Sequence, residues 1–364
     1  MGSFNYFSWN VNFNMNKELK NLRKHIDNID DDLLEILKKR FDVVQEISEI
    51  KKESGLHIED SVRQTEIIDR LHSKSDDKIL YRHLEKIYSS IFDSAKEKQL
   101  LLSSREYKKE DSVYNIGGKI VGEKPVLIAG PCSLDDGDKY VDLCCELKKL
   151  GVSFLRGGIY KPRTSPYSYQ GLGKDGDYFL RKAKEKTELP IVSEVLDIQS
   201  AEESFDVIDV FQIGTRNMQN FSLLKDIAKL GKPVLLKRGM SATLEEFILA
   251  SEYLLSNGCN EVILCERGIR TFNTHVRSTL DVSIIPVIKE ISHLPIVIDP
   301  SHSSGNRKYV LSHTLAGIAA GADGVLVEVH QNPKEALTDG DQAVLPNELD
   351  VLFRKVLKIW ELIK

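Results

Sequence analysis

The chain has 364 residues, with 50 Lys and Arg against 55 Asp and Glu, for a net charge of −5 at neutral pH. That balance excludes a nucleic-acid surface spread over the whole molecule, and 41% hydrophobic with 29% charged residues is ordinary for a globular protein. No apolar run reaches the ~20 residues of a membrane helix. The adjacent Cys144 and Cys145 among five Cys suit free thiols, and the first residues lack a secretory pattern, so a cytoplasmic location is expected.

Residues 1–15 read as a disordered extension, with Met15 an alternative start. From Asn16 to about Glu53 the apolar residues Leu19, Leu22, Ile26, Ile29, Leu33, Ile36, Leu37, Phe41, Val44, Ile47 and Ile50 recur by threes and fours without Gly or Pro. This spacing predicts one helix roughly 55 Å long, at 1.5 Å per residue. Ser54-Gly55 stops it, a second helix is expected from near Asp60, and a third over about Asp76–Ser103. An overlong helix in a three-helix unit is best buried by a second copy, so an intertwined helical dimer is expected. Arg40 and Lys51 lie about three turns apart on one face, whereas Arg23 is roughly 100° away around the helix. Such charges also suit a solvated face.

The segments LRKHIDNIDDDLLEILKKR, IKK, IEDSVRQTEI and IFDSAKEKQ resemble the all-helical chorismate mutase family over about residues 16–104. The resemblance implies that Arg40, Arg63 and the partner's Arg23 hold the carboxylates and neighbouring oxygen of chorismate. Lys51 and Gln99 would bond its ether oxygen, and Asp60 would place its ring end. Gln64 stands where the family usually has Glu. A pericyclic rearrangement to prephenate needs only a fixed conformer and donors aimed at the developing charge.

Leu101–Lys124 reads as a polar, mobile connector followed by a small hairpin around Gly117-Gly118, with the domain boundary near Ser104–Ser112 and the linker over 105–124. Over 125–364, eight apolar runs alternate mainly with helical segments: Val126–Ala129, Val152–Leu155, Ile191–Ser193, Val207–Gln212, Val234–Leu236, Glu261–Cys265, Ile296–Ile298 and Gly324–Val327. This α/β pattern predicts a (β/α)8 barrel, with a doubly wound open sheet as the alternative.

The runs end on Cys132, Arg156, Glu194, Gln212, Lys237, Glu266-Arg267, Asp299 with His302, and Glu328. A barrel brings these ends to one mouth. Two sets stand out. Cys132, His302, Glu328 and Asp339 mix thiolate, imidazole and carboxylates, which suits one divalent first-row metal ion, and no organic cofactor is expected. Arg156, Lys161, Arg163, Arg216, Lys237 and Arg267 imply substrates with several negative charges. Arg238 and Arg270 read equally well as surface charge. The stretch LRGGIYKPRTSPYSYQGLG, leaving a strand with three cations among Gly and Pro, reads as an anion-binding loop.

IAGPCS, that stretch, VSEVLD, QIGTRNMQN, LLKRG, DPSHSSG and VEVH with LTDGDQ resemble the 3-deoxy-D-arabino-heptulosonate 7-phosphate (DAHP) synthases, in the short subtype that carries an N-terminal mutase-like domain. The resemblance covers about residues 113–361 and implies condensation of phosphoenolpyruvate with erythrose 4-phosphate, the first step towards chorismate. It implies that Arg216, Lys237 and Arg267 hold the phosphate of phosphoenolpyruvate, with Arg156 and Lys161 at its carboxylate and reacting end. Arg163, Thr164 and Ser165 would hold the sugar phosphate. Cys132, His302, Glu328 and Asp339 would bind Mn, Fe, Co or Zn, with Glu194 close to the reacting carbons. Cys132, Lys161, Glu194 and His302 are the expected catalytic set. Gln64 and the polar linker suggest that the helical domain senses chorismate or prephenate and inhibits the barrel, and the resemblance implies a tetramer. Two alternatives stay open: 3-deoxy-D-manno-octulosonate 8-phosphate synthase, which uses arabinose 5-phosphate, and a Schiff-base aldolase using Lys237.

Overall fold

The computed structural model describes residues 5–53, 61–74, 78–97, 101–163 and 165–364. The chain divides into two units, Met1–Leu101 and Leu102–Lys364.

The first unit is helical: α1 (Asn5–Glu53), α2 (Ser61–His72) and α3 (Lys78–Glu97). α1 starts eleven residues ahead of the expected Asn16, so residues 5–15, expected as disordered, have helical backbone. The physical reason is the absence of Gly and Pro there. Each residue added to an existing helix gains a hydrogen bond without a new nucleation step. α3 ends near Glu97, and Leu101–Ser103 are not helical as expected. Along α1, Leu19, Leu22, Ile26, Ile29, Leu33, Ile36, Ile47 and Ile50 are each at least 46% exposed.

The second unit opens with a hairpin, β1 (Tyr114–Ile116) and β2 (Lys119–Val121), as the apolar residues around the two glycines predict. Gly117 and Gly118 both take positive φ, which a two-residue turn matching the strand twist demands. Tyr114, Ile116 and Val121 join one buried cluster with Val126, Phe154, Val210, Ile263 and Val297 from the barrel strands.

Those strands are β3 (Val126–Gly130), β4 (Phe154–Arg156), β5 (Ile191–Val195), β6 (Val210–Ile213), β7 (Val234–Lys237), β8 (Val262–Glu266), β9 (Ile296–Ile298) and β10 (Gly324–Glu328). All pair in parallel and close in the order β10-β3-β4-β5-β6-β7-β8-β9, so the open sheet is excluded. Every strand residue is buried. Such strands read as continuous apolar runs because the barrel interior covers one face and the helices the other.

The connector departs from expectation. Residues 102–112 are fastened to the barrel and are not a free tether. Glu252 accepts the backbone N–H groups of Leu102 and Ser103 at 2.9 and 2.6 Å. The Arg105 N–H donates to Ile291 O, and the Arg105 guanidinium reaches Lys289 O at 2.9 Å. His293 joins both ends of the segment, with Nε2 2.6 Å from Leu102 O and Nδ1 2.8 Å from the Ser112 hydroxyl. The segment is polar because its partners are polar groups at strand and helix ends. Composition alone cannot separate that from solvation.

This latch has a pH dependence. Burial, helped by Lys108 and Arg105 and opposed by the bond to Leu102, holds His293 below the ordinary 6.5. Between its folded value and 6.5 the unfolded chain binds more protons, so the latch is fully stable above about pH 6.5 and weakens as pH falls through that window. Amide exchange at residues 102–112, corrected for intrinsic rate, is expected to quicken as pH falls below about 6.5. A corrected rate independent of pH would contradict this.

Candidate active site

The C-terminal ends of β3–β10 surround a cavity of about 370 Å³. Parallel strands all deliver their last residues to the same end. Cys132, Arg156, Lys161, Arg163, Ser165, Glu194, Arg216, Lys237, Arg267, His302 and Asp339 therefore line one continuous site. Arg277 also lines it, making seven cations against the carboxylates of Glu194 and Asp339. Glu328 sits behind the lining, 2% exposed, accepting the Cys132 N–H at 2.9 Å and the Gln342 amide at 2.9 Å. Thr164 lies outside the described residues.

One donor atom each from Cys132, His302, Glu328 and Asp339 lies within 4.8 Å of the others. Cys132 Sγ is 3.5 Å from His302 Nε2. His302 Nδ1 is 2.8 Å from Asp299 Oδ2, which suits an Nδ1–H tautomer with the Nε2 lone pair facing the thiol. Burial, against the pull of Asp299, holds His302 well below the ordinary histidine range. A sulfur, an imidazole nitrogen and two carboxylates fit a borderline first-row cation better than Mg²⁺ or Ca²⁺. Asp339 adopts a left-handed backbone (φ 54), an uncommon conformation that Asp tolerates better than most residues and that recurs at functional sites.

Lys161 ties the two halves of the site together. Its Nζ is 2.6 Å from Cys132 Sγ and 2.5 Å from Asp339 Oδ2. Burial opposes its charge, but Cys132, Glu328 and Asp339 outweigh burial and raise its pKa. Arg156 is held the same way, 3.0 Å from Cys132 Sγ and 3.7 Å from Glu328. Burial raises Cys132, with Arg156 and Lys161 acting against it. Asp339, despite burial, is lowered well below the carboxylate range by Lys161, His302 and Arg277.

The cations deeper in the cavity behave differently. Among the described residues Arg267 donates to neutral oxygens, those of Gly268, Ser278 and His302, and burial lowers its pKa. A desolvated guanidinium bonded to neutral oxygens is poised for an anion. Lys237 is bound to Asp299, which also accepts the His302 N–H at 2.9 Å. Burial raises Glu194, against Lys237, Lys161, Arg156 and Arg216. Gln212 donates to Glu194 at 3.2 Å, and Gly214 makes the space, since a Cβ there would lie 1.9 Å from Glu194 Oε1.

Sequence reasoning assigned no role to Asp299, Arg277 or Gln342. Asp299, fully buried at the end of β9, carried a signal, as a strand-end Asp before Pro300 in DPSH. Arg277 sits in an irregular loop and reaches Asp339 (3.0 Å) and Gln342 (2.9 Å), with nothing in its surrounding sequence to announce it. Arg238, read as equally suited to the surface, is 5% exposed because Glu266 and Asp281 bind it, while Arg270 is exposed.

In the helical unit, Arg23 is exposed on α1, and Arg40 stacks 5.4 Å over the Phe92 ring of α3. Arg63 pairs with Glu66 at 2.8 Å, and Gln64 is half-buried beside it on α2. Lys51 lies in the last turn of α1, its side chain outside the described set, as are Asp60 and Gln99.

Comparison with known proteins gives the same two-part picture. The model of the DAHP synthetase I family matches residues 106–363, and that of chorismate mutase type II matches 22–100. A phospho-2-dehydro-3-deoxyheptonate aldolase of Thermotoga maritima is 48% identical over 244 residues, 67% of this chain and 72% of that protein. A 2-dehydro-3-deoxyphosphooctonate aldolase of Desulfotalea psychrophila is 31% identical over 65% of this chain and 90% of its own. The crystal structure of the DAHP synthase from Thermotoga maritima superposes with a TM-score of 0.69 at 44% identity, covering 72% of this chain and 76% of that one. A truncated form of 3-deoxy-D-arabino-heptulosonate 7-phosphate synthase from Thermotoga maritima gives 0.67 at 41% identity, covering 72% and 97%. With the closed barrel and its cation-lined mouth, these matches place the chain in the DAHP synthetase I family, as an enzyme whose barrel follows a chorismate mutase type II domain.

Proposed function

We propose that the barrel condenses phosphoenolpyruvate with erythrose 4-phosphate and water to give DAHP and phosphate. The observation that carries this is the single cavity in which seven cations adjoin the Cys132, His302, Glu328 and Asp339 set. Two polyanions repel each other in water, and holding them together in reacting geometry supplies much of the acceleration.

Arg267, Lys237 and Arg216 bind the phosphate of phosphoenolpyruvate, and Arg156 its carboxylate. Arg163, Thr164 and Ser165 take the sugar phosphate. Lys161 stands at the reacting end and donates to the aldehyde oxygen as negative charge develops there. A divalent first-row metal (Mn, Fe, Co or Zn) held by Cys132, His302, Glu328 and Asp339 would polarise that oxygen as a Lewis acid. C3 of phosphoenolpyruvate bonds to the aldehyde carbon, water adds at the electron-poor C2, and the resulting hemiketal phosphate collapses with loss of phosphate. Glu194, raised by burial, suits the proton taken from that water. Lys237 is engaged by Asp299, which favours a phosphate-binding ammonium over the imine-forming amine of a Schiff-base aldolase.

The octulosonate relatives make arabinose 5-phosphate the competing sugar. Pro162 fixes its own φ and restricts Lys161 next to the sugar site, which favours the shorter substrate. Purified enzyme is expected to release phosphate with erythrose 4-phosphate and little with arabinose 5-phosphate. The reverse preference would sink the assignment.

The helical unit rearranges chorismate to prephenate, senses one of them to restrain the barrel, or both, through Arg23, Arg40, Lys51, Asp60, Arg63, Gln64 and Gln99. The exposed apolar row of α1 supports dimerisation through this unit, and pairing of the barrels as well would give a tetramer. The latching of residues 102–112 to the barrel favours a cut between Leu101 and Leu102 over one near Ser112 as the cut that separates the two functions. The protein beginning at Leu102 is expected to keep synthase turnover and lose inhibition by prephenate. Inhibition that survives the cut would place the sensor in the barrel.

A further inference from the structure

We infer that Arg238, Glu266 and Asp281, none of which touches the cavity, form a buried positioning triad that sets the spacing of Lys237 and Arg267. The inference rests on the reading of those two cations as the clamp for the phosphate of phosphoenolpyruvate.

The argument begins with the alternation of side chains along a strand. β7 ends on Lys237 and is followed by Arg238, while β8 ends on Glu266 and is followed by Arg267. The two strands are in register at Lys237 and Cys265, and the Arg238 N–H donates to Cys265 O at 3.0 Å. Successive side chains point to opposite faces. Lys237 and Arg267 therefore face the cavity, and Arg238 and Glu266 face outward on the same two strands.

On that outer face Arg238 Nη1 donates to Glu266 at 3.0 Å and to Asp281 at 2.9 Å, and its Nε donates to Ala242 O at 3.1 Å. The other oxygen of Glu266 accepts the N–H of Gly268 at 2.6 Å and of Asp281 at 3.3 Å. The loop that carries Asp281 also carries Ser278, whose hydroxyl accepts from Arg267 at 3.0 Å. One loop is thus fastened to the residue after Lys237 and to Arg267 itself.

Arg238 is 5% and Glu266 0% exposed, and burying such charges gains little net stability even when paired. What the triad supplies is geometry. It cross-links adjacent strand ends one residue from each clamp member, from the side opposite the substrate. Among the described residues Arg267 donates to neutral oxygens and to no carboxylate, so its direction depends on Ser278 and on the backbone that Glu266 holds through Gly268.

The test uses the full chain with Asp281→Asn and Glu266→Gln, alongside Arg267→Lys. Asp281 is at the edge of the triad with its side chain 20% exposed, so its variant keeps the test usable if Glu266→Gln fails to fold. A misplaced clamp is expected to raise KM for phosphoenolpyruvate and Ki for inorganic phosphate together by about 10-fold, with kcat and KM for the sugar within about 3-fold. Asp281→Glu, which restores the charge, is expected to recover part of that loss. If Arg267→Lys raises both constants and Asp281→Asn moves neither, or moves kcat and both KM values alike, the triad has no positioning role. If Arg267→Lys moves neither constant, the clamp reading itself falls.

Discussion

Replacing Cys132 by Ser is expected to lower kcat for phosphate release about 10³-fold, the order of effect when a Lewis acid worth several kcal/mol is weakened at tenfold per 1.36 kcal/mol. The substitution keeps a small polar group at a site 3% exposed, so its effect on packing is minor. What it removes is the soft donor. Cys132 Sγ is the atom on which Arg156 (3.0 Å), Lys161 (2.6 Å) and His302 (3.5 Å) converge. A hydroxyl in its place is a harder and weaker ligand for a first-row cation than a thiolate. Metal content measured by atomic absorption should fall in step with the rate. A Cys132→Ser variant that kept both its metal and its turnover would remove Cys132 from the ligand set.

Lys161→Met is expected to lower kcat/KM by roughly 10³–10⁴, the upper range for a positioned proton donor. The same change strips a buried ammonium from between Cys132 and Asp339, and breaking such a pair costs about 3–5 kcal/mol of stability. The two effects can be told apart. Cys132 and Glu328 stay behind with Arg156, and Asp339 with Arg277, as their remaining balancing charges. A divalent cation would restore the missing positive charge, so adding Mn²⁺ or Zn²⁺ should raise Tm more in the Lys161→Met variant than in the parent, without restoring activity. Equal thermal shifts in both proteins would mean that Lys161 and the metal do not share the anionic set.

The barrel was legible because its signals are local. Eight apolar runs of strand length, each ending on a polar group, announce both the strands and the mouth they share. The chemistry-bearing residues at strand ends followed at once. The residues that eluded sequence reasoning owe their positions to long-range packing. Arg277 meets Asp339 across 62 positions, and Arg238 meets Asp281 across 43. A charged residue looks the same in sequence whether it faces water or a buried carboxylate. The polar connector failed for that reason too, since Ser, Arg and Asp serve a docked backbone as readily as a solvated one.

The latch on the barrel also has a meaning in time. Leu102 must find Glu252, and Ser112 must find His293, partners 150 and 181 positions further along. At the usual pace of synthesis, about 5–20 residues per second, that wait lasts roughly 10–40 s. During it, the helical domain is complete while the surface to which its connector will be fastened does not exist. If the helical units pair as proposed, each nascent chain has an interval in which its helices can meet those of a neighbour before the barrel closes.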